Sequence, residues 1–440
     1  MAKEQLLSRL EAALPEHIDA EIIAQVSSEQ LTRFSNNTIH QNIREQNSRV
    51  FVRVIENGKG GTFITNSLDS KQLAGAVRKA LEAAKLPMPR SSQPPLSPAT
   101  SYKEMNLHDP ELSNLTPEGH AQLVADTLVT VRNAKMQASG AFTGADQELA
   151  LVNTRGLRAW TRATFADFHL VVSDHQQTTS GYGSTCGRRL ADLDFIGAMT
   201  AAAAKCEAAS NPQGFPPGEH TVILEPAAVA DLVRFLALIG LNGQALLEGR
   251  SPFPKLGEKY LGDNVTIWDD ALDPEGLAMP FDFQGVPKRK LNLITKGIVQ
   301  NVATDNSVAT YMEKASTGHG QLPPSQGPLP NHMFMEAGNA MLDDMIVSTK
   351  RGILISRFHY VNVLDARQAV LTGVTRDGTL LIEDGKLTRS LKNLRFTESL
   401  IRALSRVEMV GDSSKLFGWF WGSVRVPALK IRGFKFNGSE

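Results

Sequence analysis

Ten histidines, at positions 17, 40, 108, 120, 169, 175, 220, 319, 332 and 359, are the residues with which this chain could most readily hold a metal. A zinc hydrolase needs imidazoles on one face and a carboxylate to activate water, which in sequence means closely spaced His and Glu. None of the ten is followed by Glu, and no pair sits at helical ligand spacing. Two readings stay open: a site assembled from distant strands, for example by His319, His332 and His359, or a set of surface and hydrogen-bonded histidines. The candidate thiol nucleophile is Cys186 in SGYGSTCGRRLAD, where Arg188 and Arg189 could lower its pKa. As a small residue at a loop-to-helix junction it needs no such role, and Cys206 reads as helix packing. ASTGHGQ, residues 315–321, has the character of a ligand loop and equally that of a solvated turn. GKGG at 58–61 sits in a hairpin turn rather than between a strand and a helix, so it is no phosphate cradle.

RFLALIGLNGQALLEGRS, residues 234–251, poses a sharper question. Leu232, Phe235, Leu236, Leu238, Ile239, Leu241, Leu246 and Leu247 cover most of a helix circumference, which predicts burial on nearly all sides. Asn242 and Gln244 are its central polar groups. In a core they need hydrogen-bond partners; beside a cleft they could hold the backbone of a peptide.

The elements that must position these groups follow from pattern. At 440 residues, 42% hydrophobic and 21% charged, the chain is an ordinary globular protein too long for one core. Its 46 basic side chains balance 46 acidic ones, which gives no global field for nucleic acid or acidic membranes. Two cysteines make no disulfide framework and fit a reducing cytosol. The N-terminus MAKEQLLSRLEAALPEH reads as an amphipathic helix, not a signal peptide. The most apolar stretch, around 227–241, carries Asp231 and Arg234 and is too short to span a membrane.

LPMPRSSQPPLSPATSYK, residues 86–103, holds five prolines and reads as a linker or long surface connection, and NPQGFPPGEH at 211–220 is a second break. Units at 1–85 and 104–210 share one order: helix, strands, helix. The first closes on DSKQLAGAVRKALEAA behind an Asp69 or Ser70 cap; the second opens with Thr116 as N-cap and Pro117 in the first turn. A duplicated α/β unit is expected. Residues 220–440 are mostly β after their one long helix. RKLNLITKGIVQNVAT predicts a hairpin at Lys296 and Gly297, and Asp377-Gly378 and Asp384-Gly385 predict two more turns. The fold class expected is α+β, with a barrel-like C-terminal sheet wrapped against one buried helix.

The segments TRFSNNTIHQNIREQNSRVFVRV, GRSPFPKLGEKYLGDNVTIWDD, PFDFQGVPKRKLNLITKGIVQN, STGHG and LTGVTRDGTLLIEDGKLTRSLKNLRF, in this order, resemble the TldD/PmbA (TldE) family, known as modulators of DNA gyrase and as zinc-dependent peptidases. The resemblance covers nearly the whole chain. In the catalytic TldD branch a His-Glu-x-x-x-His motif precedes a Leu-Glu-Gly segment. Set on Leu247, Glu248 and Gly249, that motif falls on GLNGQA, with Gly240 and Ala245 at the histidine positions and Leu241 at the glutamate position. The branch's late metal-ligating cysteine has no counterpart in SSKLFGWFWGSVRVPALKIRGF.

The resemblance therefore implies a chain of the TldE/PmbA side, or of a shorter TldD-related group that also lacks zinc ligands, with no metal or catalytic residues of its own. It implies zinc in a TldD-type partner and a shared groove for unfolded or short peptides. Asn242, Gln244, Glu248, Arg250, Thr317 and His319 are the candidate groove residues. Direct nucleic-acid binding and membrane association are not expected. A self-associating scaffold that binds peptides, and a peptidase working through scattered histidines or Cys186, are the alternatives.

Overall fold

The structure is a computed structural model and describes residues 2–86, 93–323, 327–419 and 421–439. The first unit runs α1 (Lys3–Glu11), β1 (Asp19–Ser35), β2 (Thr38–Glu56), β3 (Lys59–Thr65) and α2 (Ser70–Lys85). After a single turn, α3 (Pro110–Ser113), the second unit repeats it: α4 (Pro117–Asn133), β4 (Gln137–Asn153), β5 (Arg158–Ser173), β6 (Ser180–Gly187) and α5 (Phe195–Ala208). The caps form as the residue types dictate: Asp69 accepts from the backbone N–H of Lys71 and Gln72, and Thr116 from that of Gly119.

The two units build one sheet, in the order β3-β2-β1-β4-β5-β6. β1 and β4 pair antiparallel at its centre, from Glu21 opposite Asn153 to Phe34 opposite Gly140, so the repeat is related by a pseudo-two-fold between them. Alternation along β1 separates the two faces. Ile22 and Ala24 pack under α1 and α2 with Val52, Val54 and Val152, whereas Ile23 faces away, with Phe51 and Leu151, onto Met279, Phe281 and Phe283 of the C-terminal part. Gly181 and Gly183 of β6 let α5 approach: a Cβ on Gly183 would lie 1.9 Å from the Ala198 carbonyl oxygen.

Residues 93–103 run along the surface, with Pro95, Pro98, Ala99, Thr100, Ser101 and Lys103 exposed, but are pinned to the C-terminal part. Leu96 and Ser97 are buried; Ser97 Oγ donates to Gln284 O at 2.6 Å and Tyr102 OH to Gly285 O at 2.8 Å. Proline leaves this strap without a backbone donor for a sheet ladder, and side-chain hydroxyls tie it to the C-terminal part instead. Residues 87–92 of that segment lie outside the described residues.

The C-terminal part contains β7 (Gly218–Leu224), α6 (Pro226–Ile239), α7 (Gly243–Leu247), β8 (Ile267–Asp269), β9 (Leu291–Thr295), β10 (Ile298–Val299), α8 (Asn306–Tyr311), β11 (His332–Met335) and α9 (Leu342–Val347). It ends with β12 (Arg351–Asp365), β13 (Val370–Glu383), β14 (Lys386–Ser390), β15 (Leu394–Ser399), α10 (Leu400–Ser405), β16 (Val407–Trp419) and β17 (Gly422–Ser439). Strands β17-β15-β13-β12-β7 close into a ring because β7 also pairs with β17. Five strands cannot alternate in direction all the way round, so one pair must be parallel; it is β7 with β12. A parallel pair needs a crossover, and α6 lies on it. The barrel expected from sequence is present. Of the turns expected there, Lys296-Gly297 and Asp384-Gly385 are formed by left-handed residues. Asp377-Gly378 is not a turn: it lies inside β13 at a bulge opposite Ser356, where Asp377 accepts from Ser180 Oγ and Arg357 Nε.

One buried histidine makes the N-terminal unit sensitive to acid. His120 is 1% exposed, stacks on Phe142 with centroids 3.8 Å apart, and bonds Thr32 Oγ1 through Nδ1 at 2.7 Å. Burial lowers its pKa to about 4. Unfolded histidine takes its proton near pH 6.5, so the folded chain holds fewer protons between these values and loses stability as pH falls through the window, by roughly 3 kcal/mol in all. Urea midpoints should therefore drop from pH 6.5 to 4, less steeply in His120→Gln; identical slopes would contradict this account.

Candidate functional site

The helix expected across 234–251 is two helices. α6 ends at Ile239, and Gly240 leaves helical geometry. Asn242 then starts α7, its side chain accepting from the N–H of Gln244 and Ala245. Between them the chain is drawn sideways into a bridge with Ala303, which donates its N–H to Leu241 O and accepts from Gly243 N. Asparagine's preference for capping competes with helix continuation, and Gly240 removes the side chain that would resist the break. Gly240, Leu241 and Ala245 are closed in: Leu241 and Ala245 are at most 1% exposed, and a Cβ on Gly240 would lie 2.8 Å from the Phe253 ring.

The candidate groove residues divide by environment. Asn242 is occupied as a cap. Gln244 Nε2 donates to Glu248 Oε1 at 2.9 Å and Arg250 Nε to Glu248 Oε2 at 2.6 Å, a solvated ladder on the outside of α7. Thr317 is reached from Asn242 through Ala303 and Thr304, to which its hydroxyl bonds at 3.0 Å. His319 is not on any groove: it is 0% exposed, and this expectation is corrected by its burial.

His319 instead belongs to a closed polar core. Its Nδ1 is 2.8 Å from Thr317 Oγ1, and its Nε2 is 3.1 Å from Asp269 Oδ1, off the line of a good hydrogen bond. Asp269 Oδ2 accepts from His332 N, and Asp282 accepts from the N–H of Gln284, Val286 and Gly320. Lys288 brings the cation. Burial lowers the pKa of Lys288, opposed by Asp269 and Asp282; burial raises Asp282 to about 6 despite Lys288. Burial and then Lys288 lower His319, and burial takes His332 to about 3, so both imidazoles are neutral at pH 7. Burial alone would raise Asp269; its neighbours, with Lys288 as the charged one among them, outweigh it, and the carboxylate stays ionised.

A Thr-His-Asp line suggests a nucleophile, base and orienter. Its hydroxyl is already held by Thr304, however, and the histidine and aspartate have no path to solvent, so it orders the interior instead. Nor are the three histidines of the metal reading brought together. His359 lies elsewhere, on β12, with its ring against Tyr360, and no group of three His, Cys, Asp or Glu among the described residues could hold a metal ion. Cys186 is also unlike a nucleophile. Its Sγ donates to Leu416 O, and burial, aided by Asp167, pushes the thiol up to about 12 rather than down. Asp269, Asp282 and Lys288 escaped sequence reasoning because Lys288 sits in PKRK, which reads as a solvated basic run.

What is open to solvent is a cleft of about 470 Å³ between the N-terminal sheet and the β16–β17 hairpin, lined among others by Leu149, Phe165, Met279, Trp419 and Trp421. Trp421, in left-handed geometry at the hairpin turn, rests edge-on against Phe283 at 5.9 Å. No described helix is long and apolar enough to cross a membrane.

Known proteins share this architecture. The fold of TldE from Thermococcus kodakarensis superposes with a TM-score of 0.89 over 98% of this chain and 99% of that one, at 22% identity. A protein from Haemophilus influenzae named metalloprotease TldD homolog is 31% identical over 182 residues, which are 40% of this chain but only 37% of that relative. A protein from Methanothermobacter thermautotrophicus named metalloprotease is 22% identical over 88% of both chains. Residues 217–438 match the family model described as the PmbA/TldA metallopeptidase C-terminal domain, and residues 20–84 match domain 1 of the same family. Together with the duplicated sheet and the strand ring, these matches place the chain in the PmbA/TldD metallopeptidase family.

Proposed function

We propose that this chain is a TldE-like, non-catalytic member of a cytosolic metallopeptidase assembly. It pairs with a TldD-type subunit that carries the zinc, and the pair acts on unfolded or short peptides. The observation that carries this reading is the state of the motif positions. Where the family resemblance puts His-Glu-x-x-x-His, the chain has Gly240, Leu241 and Ala245, on a backbone that is broken and packed against Phe253 and Ala303. These residues offer no metal donor, so zinc does not fit here, and no hydrolytic step is assigned to this chain. A zinc centre supplies both an activated water and the charge that stabilises a tetrahedral intermediate; in this reading both come from the partner.

Isolation from the native host should yield a heteromer. Its peptidase activity should vanish when the partner's zinc ligands alone are replaced. Purification as a homo-oligomer with no zinc-bearing companion would support the scaffold reading instead.

A further inference from the structure

The open cleft has a charge pattern that its apolar lining does not require. Among the described residues Arg188 is the only charged side chain that lines it, and none of them brings a carboxylate to it. The guanidinium is half-buried, and its one hydrogen bond is from Nη2 to Gly276 O at 2.9 Å. It makes no ion pair among the described residues. The carboxylates of the adjoining polar pocket form no ion pair with it: Asp192 pairs with Arg189 at 2.6 Å and accepts from the backbone N–H of Arg188 at 3.1 Å, Glu275 pairs with Arg425 at 3.2 Å, and Asp109 accepts from the N–H groups of Glu111, Leu112 and Leu190. A partly desolvated arginine with spare donors beside an apolar hollow is matched by a ligand that carries one carboxylate next to an apolar group. The volume lies within the roughly 300–1,000 Å³ of small-ligand sites.

We propose that this cleft receives the C-terminal residue of a peptide ending in an aromatic or large aliphatic side chain. The α-carboxylate sits on Arg188 and the side chain among Leu149, Phe165, Met279 and Trp421. An internal apolar residue brings no anion of its own for Arg188, and an N-terminal ammonium is repelled by it. The inference rests on the peptide-handling reading above and adds the end of the chain that is recognised.

The test is fluorescence anisotropy on the full chain with a labelled peptide ending in phenylalanine, as the free acid and as the C-terminal amide. The acid should bind roughly 10- to 100-fold more tightly than the amide. Arg188→Gln should remove that difference, Arg188→Lys should restore part of it, and Trp421→Ala, at an exposed turn, should weaken both forms alike. N-acetylphenylalanine should compete; competition by octanoate but not by N-acetylphenylalanine would overturn the peptide assignment. Equal binding of acid and amide, or discrimination that survives in Arg188→Gln, would overturn the site. A heteromer with zinc-dependent activity but no such discrimination would sink this inference alone. Discrimination in a chain that joins no zinc subunit would sink only the pairing.

Discussion

Lys288→Met should cost roughly 3–5 kcal/mol of folding stability. Lys288 is 6% exposed and shares the interior with Asp269 and Asp282, at 0% and 1%. Removing the ammonium leaves Asp269 ionised without its cation, and breaking one side of a buried pair costs far more than the pair contributes. Against a total stability of roughly 5–15 kcal/mol, that is a large share. Part of the loss should return as pH falls, because burial raises Asp282 to about 6 even with Lys288 opposing it; without Lys288 the carboxyl takes up its proton at higher pH still and no longer needs a counter-charge. Denaturant midpoints at pH 8.5 and pH 5 measure it. A loss below about 1 kcal/mol would mean that the polar core is solvated and the burial account is wrong.

Writing the catalytic motif back into the chain should unfold it rather than load it. In Gly240→His, Leu241→Glu, Ala245→His the first change drives a side chain into Phe253, the second places a carboxylate where Leu241 is 0% exposed, and the third overfills a site 1% exposed. Overpacking and a buried unpaired charge together exceed about 4 kcal/mol. Circular dichroism should show lost cooperativity, and metal analysis no stoichiometric zinc. A folded triple variant with one zinc per chain would show that the helix break is a dormant site, not a closed one.

These two expectations differ in how far the sequence alone could reach them. The duplicated unit was legible because its signals are local: Asp69, Thr116 and Pro117 cap helices by their own chemistry, and strand alternation needs no knowledge of the partner strand. The barrel-like sheet was legible from its strand content, but not which pair closes it, since the parallel β7–β12 pair depends on residues more than a hundred positions apart. Asp377-Gly378 misled for a physical reason: left-handed residues serve a turn or a bulge equally well, and the Ser180 and Arg357 partners that select the bulge come from other strands. Asn242 and Gly240 carried the helix break in plain view, yet the apolar run around them argued for continuity. The polar core was legible only in the pairing of His319 with His332 as candidates for one site, not in its carboxylates or its lysine. Asp269, Asp282, Lys288, His319 and His332 are spread along the chain, and only the fold makes them neighbours. Arg188 read as a group that could activate Cys186, beside the plainer reading of Cys186 as a small packing residue; the thiol is buried, and Arg188 lines the cleft instead.

The central claim is that this chain shapes a peptidase assembly whose zinc belongs to another subunit. The most direct measurement is peptidase activity and zinc content of the assembly isolated from its native host, with the partner's zinc ligands intact or replaced. The account predicts a heteromer that loses both zinc and activity when the partner's ligands alone are changed. Activity that persists in that variant, or stoichiometric zinc retained on this chain, would contradict it.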